Sequence, residues 1–360
     1  MSNNNPSSDA RPALDEARAM VRDLFTPRAA IYWPDFLGHA MVGWAALAAT
    51  VLLPLWSAAF WLAYVVAVIA LYRAVIFIHE LAHLRPGALP GFRLAWNLLA
   101  GVPMMVPSFT YSGVHNHHHK QAAYGRVEDG EYLPFARTTP WLMVSFLLSG
   151  LLTPVAVLLR FTVLTPIGWV LPPVQRLLWR HASSLTIDFR YRRGHSPRDD
   201  RHWRWQEAGC WLWSVSMLSL MAAGILAWRV LWMWAAVLIG VYIVNGVRTL
   251  VAHRYRHDDD QPLDLMQQFH DSVDVPGMPV LTAFWAPVGL RYHATHHLFP
   301  SMPYHNLATA HQRLSQGLTD PSWYQQATEP GLRSAILSIW RDARRRRLAP
   351  MTPHQTESGA

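Results

Sequence analysis

Three short stretches of this chain concentrate histidine at helical spacing. His79 and His83 flank Glu-Leu-Ala; His115, His117, His118 and His119 follow one another around Asn116; His293, His296 and His297 enclose Ala-Thr. On a helix, residues three and four apart share a face, so 115, 118 and 119 project together while His117 points about 200° away from His115. Neutral imidazole is a common nitrogen ligand for iron, zinc and copper, and such a face aims its lone pairs toward one point. His253, at the end of an apolar run, adds a further ring. His79, His83, His115, His118, His119, His253, His293, His296 and His297 are thus nine candidate ligands, too many for one metal and suited to two. A single histidine is usually an ordinary surface or core imidazole. Three clusters at the ends of apolar runs point instead to metal chemistry. His181, His195 and His202 lie among arginines without shared spacing and read as surface residues.

The elements that must position these rings are membrane helices. The chain is 51% hydrophobic and only 15% charged, with 18 Trp, whereas its mean hydropathy of +0.08 requires a large share outside lipid. No charge occurs from Ala40 to Tyr72, a run too long for one crossing of a core of about 30 Å. It predicts a hairpin turning at Pro54: one span over Leu37 to Leu55, and a second starting near Ser57, with Arg73 snorkelling to the headgroups. Continued as helix, the second span carries His79 and His83 beyond the lipid. The runs from Glu207 to Arg229 and from Arg229 to Arg248 predict a second hairpin that delivers Thr249 and His253 to the same side.

The uncharged stretch from Thr138 to Leu159 contains Pro140 and Pro154. A crossing there would put the arginines between 176 and 204 outside, against the positive-inside rule, and would separate His253 from the earlier boxes. Segments 138–180 and 94–107 therefore read as interfacial or re-entrant. The expected fold is an all-α integral membrane protein with about four transmembrane helices in two hairpins, a cytoplasmic helical histidine-rich domain and interfacial helices. Its expected segments are a cytoplasmic N-terminal stretch (1–35), the first hairpin with box one (36–83), a cytoplasmic or interfacial region with box two (84–207), the second hairpin (208–253), a region with box three (254–340), and a basic, disordered tail (341–360).

The net charge of +8 is carried by arginine, since Lys120 is the only lysine. These arginines flank apolar runs, which suits anionic headgroups and argues against nucleic acid. A lone Cys210 excludes a disulfide framework, a cysteine-ligated zinc site and an iron-sulfur cluster. The first 35 residues show no signal-peptide pattern.

The three boxes, in this order and interleaved with two apolar hairpins, resemble the membrane fatty acid desaturase superfamily over about residues 35 to 320. The stretch PVGLRYHATHHLFPSMPYHNL, residues 287 to 307, is especially similar to the third-box region of its fatty-acid desaturase branch. The resemblance implies a non-haem di-iron enzyme that uses O2 and two electrons to desaturate, hydroxylate or oxidise unactivated carbons of lipids. Carried over position by position, it makes His79, His83, His115, His118, His119, His293, His296 and His297 iron ligands. His253 would match a further histidine that some members place after the fourth span within an NxxxH pattern. Here Thr249 stands where that Asn would be and Asn245 lies one turn earlier, so His257 is an alternative ligand.

The expected activity is that of a fatty acid desaturase introducing a C=C bond into an acyl chain, with a lipid or carotenoid hydroxylase or ketolase as the alternative. The site is expected on the cytoplasmic side of a bacterial inner membrane. No GxGxxG fingerprint, cytochrome b5-like domain or ferredoxin cysteine set is evident, so a separate electron donor is required: a ferredoxin, a cytochrome b5-type protein or a reductase. His-Glu-Leu-Ala-His also fits an intramembrane HExxH zinc protease, but that leaves the other boxes unexplained. A metal carrier would hold its ligands near the bilayer midplane rather than beyond the span ends. Glu80, Asp271, Asp274, His305 and Asn306 are candidates for orienting the imidazoles through their other ring nitrogen.

Overall fold

A computed structural model describes residues 11–194, 200–258 and 261–348. The expected terminal tails, up to residue 10 and from 349 on, and His195 lie outside the described residues, as does the side chain of His202. Helix α1 (Arg11–Val21) leads into α2 (Ala29–Leu52) and α3 (Ala58–His83). These last two form the first hairpin. Its turn holds Pro54, and the Ser57 hydroxyl caps α3 by accepting from Phe60 N at 3.1 Å. Gly43 lets the two helices approach closely, since a Cβ there would fall 2.6 Å from Leu71 Cγ. α3 continues unbroken past Arg73 to His83, as expected.

Arg73 has a partner within the protein. Its guanidinium makes a two-pronged pair with Asp35 on α2, at 2.7 and 2.6 Å. The reason is that α2 starts at Ala29, several residues before the expected start of the span, and so places Asp35 on a helix facing α3.

The chain then dips. α4 (Phe92–Trp96) passes through a π-turn (Asn97–Gly101) before α5 (Phe109–His118). Leu99 O accepts from Trp44 Nε1 at 2.8 Å and Pro103 O from Trp234 Nε1 at 2.9 Å, which holds the dip against the middle of the spans. Asn97 closes it by accepting from Ser108 N at 2.9 Å. This is the re-entrant piece expected over 94–107.

An apolar run from Pro140 to Val170 follows, made of α6 (Pro140–Ser149), α7 (Thr153–Leu158) and α8 (Thr165–Val170) joined by 3-10 and π turns. Helix α9 (Pro172–His181) follows it, then α10 (Asp200–Ala222) and α11 (Arg229–Leu250). Among the described residues, four helical runs are long and apolar enough to cross a bilayer: α2, α3, 140–170 and α11. The expected four had α10 in place of 140–170. The contacts of the two runs differ. The segments before and after 140–170 both lie at the histidine-bearing end: Ala136 N bonds to Tyr255 O at 3.2 Å, and Leu185 N to Thr110 O at 2.7 Å. By contrast α10 links the two ends. Its Gln206 accepts from Phe109 N at 3.0 Å, while Met221 shares a cavity with Trp44, Leu47 and Val230 near the opposite end. There the Arg229 guanidinium donates to Thr50 O at 2.6 Å and joins both hairpins. α10 is less apolar because Gln206 and Glu207 interrupt it, and Arg160 neutralises Glu207 in a buried ion pair.

The remainder caps the histidine-bearing end with α12 (Leu265–Asp271), α13 (Pro279–Trp285), α14 (His293–Leu298), α15 (Tyr304–Gly317), α16 (Ser322–Gln325) and α17 (Leu332–Leu348). Leu14, Ala17 and Val21 of α1 pack into one core with Leu298, Leu307 and Leu314. α13 leaves Val280, Leu281 and Phe284 exposed, the signature of a helix lying on lipid. α17 extends to Leu348, into the stretch expected to be a disordered tail, because Ile339 and Ala343 pack with Phe135 and Tyr255.

Candidate metal centre

α3 brings His79 and His83, α5 brings His115 and His118, the segment after α11 brings His253, and α14 brings His293, His296 and His297. His253 is held by an isolated antiparallel bridge to Ser272. Two four-histidine clusters result: His79, His83, His115 and His296, and His118, His253, His293 and His297, each with its ligand nitrogens within 4.8 Å of one another. His119 joins the first, with Nε2 3.2 Å from His115 Nε2 and 3.1 Å from His296 Nε2, while its ring centroid is 4.4 Å from that of His297. All nine sequence-derived candidates therefore converge. His117 and His257 belong to neither cluster.

One expectation needs correction. Each box, taken as an isolated helix face, aims at a single point, but boxes two and three are each split between the clusters. Three residues along a helix leave a difference of about 60° in direction, enough to send His115 and His118 to different centres.

The rings fit a metal. His79 has no hydrogen-bond partner at either nitrogen and His83 has none at Nε2, although these atoms are buried. Such orphaned groups cost about 1–3 kcal/mol each if nothing meets them. The converging nitrogens lie 3.0 Å apart for His253 and His293 and 3.2 Å for His293 and His297. A cation bonded at about 2.1 Å holds adjacent nitrogen ligands at about this spacing. Burial, reinforced by neighbouring rings, holds His115, His119, His253, His293, His296 and His297 well below the usual imidazole pKa, so each is a neutral donor.

The outer nitrogens of His115, His118 and His253 are fixed by groups that the sequence only partly indicated. Asp129 meets His118 Nδ1 at 2.8 Å, and Glu131 meets His115 Nδ1 at 3.0 Å. At His118 burial opposes protonation, yet the charges of Asp129, Glu131 and Asp271 outweigh it and raise the pKa. Tyr124 bonds to His253 Nδ1 at 2.8 Å and donates to Asp271 at 2.9 Å, so Asp271 acts through a tyrosine. Asp274 accepts from Thr295 N at 3.0 Å and so anchors α14 rather than an imidazole of the clusters. His305 and Asn306 bond to each other and to the backbone of Arg28 and Leu24, away from the clusters. Glu80 accepts from the Tyr32 hydroxyl and from Tyr304 N at 3.2 Å. So held, it is not the free general base that a zinc protease needs.

Comparison with known proteins agrees with this geometry. Residues 55–328 match the fatty acid desaturase family. The chain belongs to that family. A ceramide hydroxylase of Caulobacter vibrioides (strain NA1000 / CB15N) is 42% identical over 336 residues, covering 92% of this chain and 94% of that protein. No solved structure matches. As a family member the chain is a membrane oxidoreductase of the lipid-modifying desaturase superfamily, which removes the protease and metal-carrier readings.

Proposed function

We propose that this member hydroxylates an unactivated carbon of a ceramide-type, N-acylated lipid. The observation that carries the reading is the 42% identity to a ceramide hydroxylase along nearly the whole of both chains. It favours hydroxylation, the alternative drawn from the sequence, over the desaturation expected first. His79, His83, His115, His119 and His296 would hold one iron, and His118, His253, His293 and His297 the other. Bound there, the two irons supply the two-electron activation of O2 needed to remove a hydrogen atom from a methylene. The reaction balances as R2CH2 + O2 + 2 electrons + 2 protons giving R2CHOH + H2O, with the electrons from a separate donor. The protein positions the carbon: an apolar cavity of about 140 Å³ between α3, α6 and α11 is lined at one end by His253 and His293. We place the histidine-bearing end on the cytoplasmic side of a bacterial inner membrane, in keeping with the arginines around Arg176 to Arg193.

The test is lipid mass spectrometry on cells with and without the gene, supplied with isotopically heavy O2. Ceramides gaining one heavy oxygen support the reading. Loss of two hydrogens without oxygen gain would return it to desaturation.

A further inference from the structure

The same cavity contains a buried cation that the metal centre does not use. Arg248, on the last turn of α11, is 7% exposed. Its Nη2 donates to Asn245 Oδ1 at 3.1 Å and the Tyr72 hydroxyl is a second partner of the guanidinium, while its Nε makes no hydrogen bond to the protein. No carboxylate among the described residues forms an ion pair with it. Glu131 lines the same cavity but is engaged by His115 Nδ1 at 3.0 Å and the Tyr111 hydroxyl at 3.1 Å. A guanidinium so enclosed is costly unless something accepts from it. Having five N–H donors and no acceptor, it calls for a ligand oxygen.

We propose that Arg248 binds the amide carbonyl oxygen of the lipid and thereby sets which carbon is oxidised. This rests on the N-acyl-lipid reading above. The cavity walls are otherwise largely apolar, with Val75, Ile76, Leu147 and Val241, so the group that enters must carry its acceptor between hydrocarbon segments. An amide carbonyl at the junction of two chains does so. The Glu131 carboxyl group lines the same cavity, so a second carboxylate or a phosphate would crowd it and a neutral carbonyl fits better. Arg248, His253 and His293 line the same cavity, so a carbonyl held by Arg248 fixes how far along the chain a carbon meets the histidines.

The experiment uses the full chain, iron-loaded, in lipid nanodiscs, with equilibrium binding and product position both measured. The probes are a ceramide, its thioamide analogue, whose sulfur is a weaker acceptor, and a diacylglycerol of equal acyl length. Arg248→Met keeps an unbranched stem and removes the donors. It should weaken ceramide binding by about tenfold to a hundredfold, the range of a charge-assisted hydrogen bond. It should scatter the new hydroxyl over neighbouring carbons while bound iron is unchanged. The thioamide should bind more weakly than ceramide to the natural protein, and this difference should vanish in Arg248→Met. Unchanged binding and hydroxyl position in Arg248→Met would overturn the proposal. Should that variant not fold, equal binding of ceramide and thioamide by the natural protein would overturn it instead. Diacylglycerol binding as tightly as ceramide would overturn the assignment to an amide. Arg248-dependent ceramide binding with no hydroxylated product from the natural protein would uphold the carbonyl site, overturn its role in choosing the carbon and sink the hydroxylase reading.

Discussion

His253 Nε2 lies 3.0 Å from His293 Nε2, although 40 positions separate the two residues in the chain. The second hairpin and the third box thus meet at one point, and His257, four residues further on, belongs to neither cluster. His253→Ala should remove about half of the bound iron and all turnover, because it opens only the second cluster. His257→Ala and Thr249→Ala should keep the full metal content. Elemental analysis of the purified variants checks this, and greater iron loss from His257→Ala would reverse the assignment.

Asp129 has no exposed surface and spends both oxygens on His118 Nδ1, Gly125 N and Glu131 N, at 2.8, 2.9 and 2.9 Å. Asp129→Asn should lower metal affinity by about tenfold to a hundredfold through a loosened His118. Titration with a chelator reads this out. His117→Ala, which alters neither cluster, should match the natural protein in the same titration.

Arg160 and Glu207 form a buried ion pair between the 140–170 run and α10. Arg160→Met should destabilise the protein by about 3–5 kcal/mol by leaving Glu207 buried without its partner. Adding Glu207→Met should recover most of that loss. Thermal unfolding in detergent distinguishes this from two independent contributions, in which the double variant would be worse than either single one.

Cysteines introduced at Lys120 and Gln312 should be labelled from the cytoplasmic side, and one at Ala223 from the opposite side, with buried Cys210 contributing little background. Labelling of Lys120→Cys and Gln312→Cys from opposite sides would contradict a single histidine-bearing end.

The nine candidate histidines were legible because helical spacing is local: residues three and four apart share a face whatever surrounds them. Their division into two clusters was not, since it depends on how α3, α5 and α14 are set against one another. Asp129 and Glu131 lie in a turn-rich stretch with no periodicity. They reach the imidazoles because Gly125, at φ +73°, turns the chain back beneath box two. The pairing of Arg73 escapes the sequence for a related reason. Its partner Asp35 sits beside Pro34, which looks like a helix boundary in sequence yet lies within α2. Parity, an argument about the whole chain, argues against a crossing by 140–170, while hydropathy alone would choose it over α10. Neither route reaches the substrate, because the boxes describe the metal's ligands and say nothing of the lipid held beside them.

Both clusters draw on α14: His296 completes one, His293 and His297 the other. During synthesis α14 emerges after every membrane helix is made, so a nascent chain carries two incomplete chelates until its final stretch is being added. A ribosome stalled before residue 293 would leave an inserted protein with fully formed spans and no finished metal site. Metal loading of the clusters would therefore be confined by chain order to the end of translation or later, and a truncation just before α14 separates membrane insertion from metal capture.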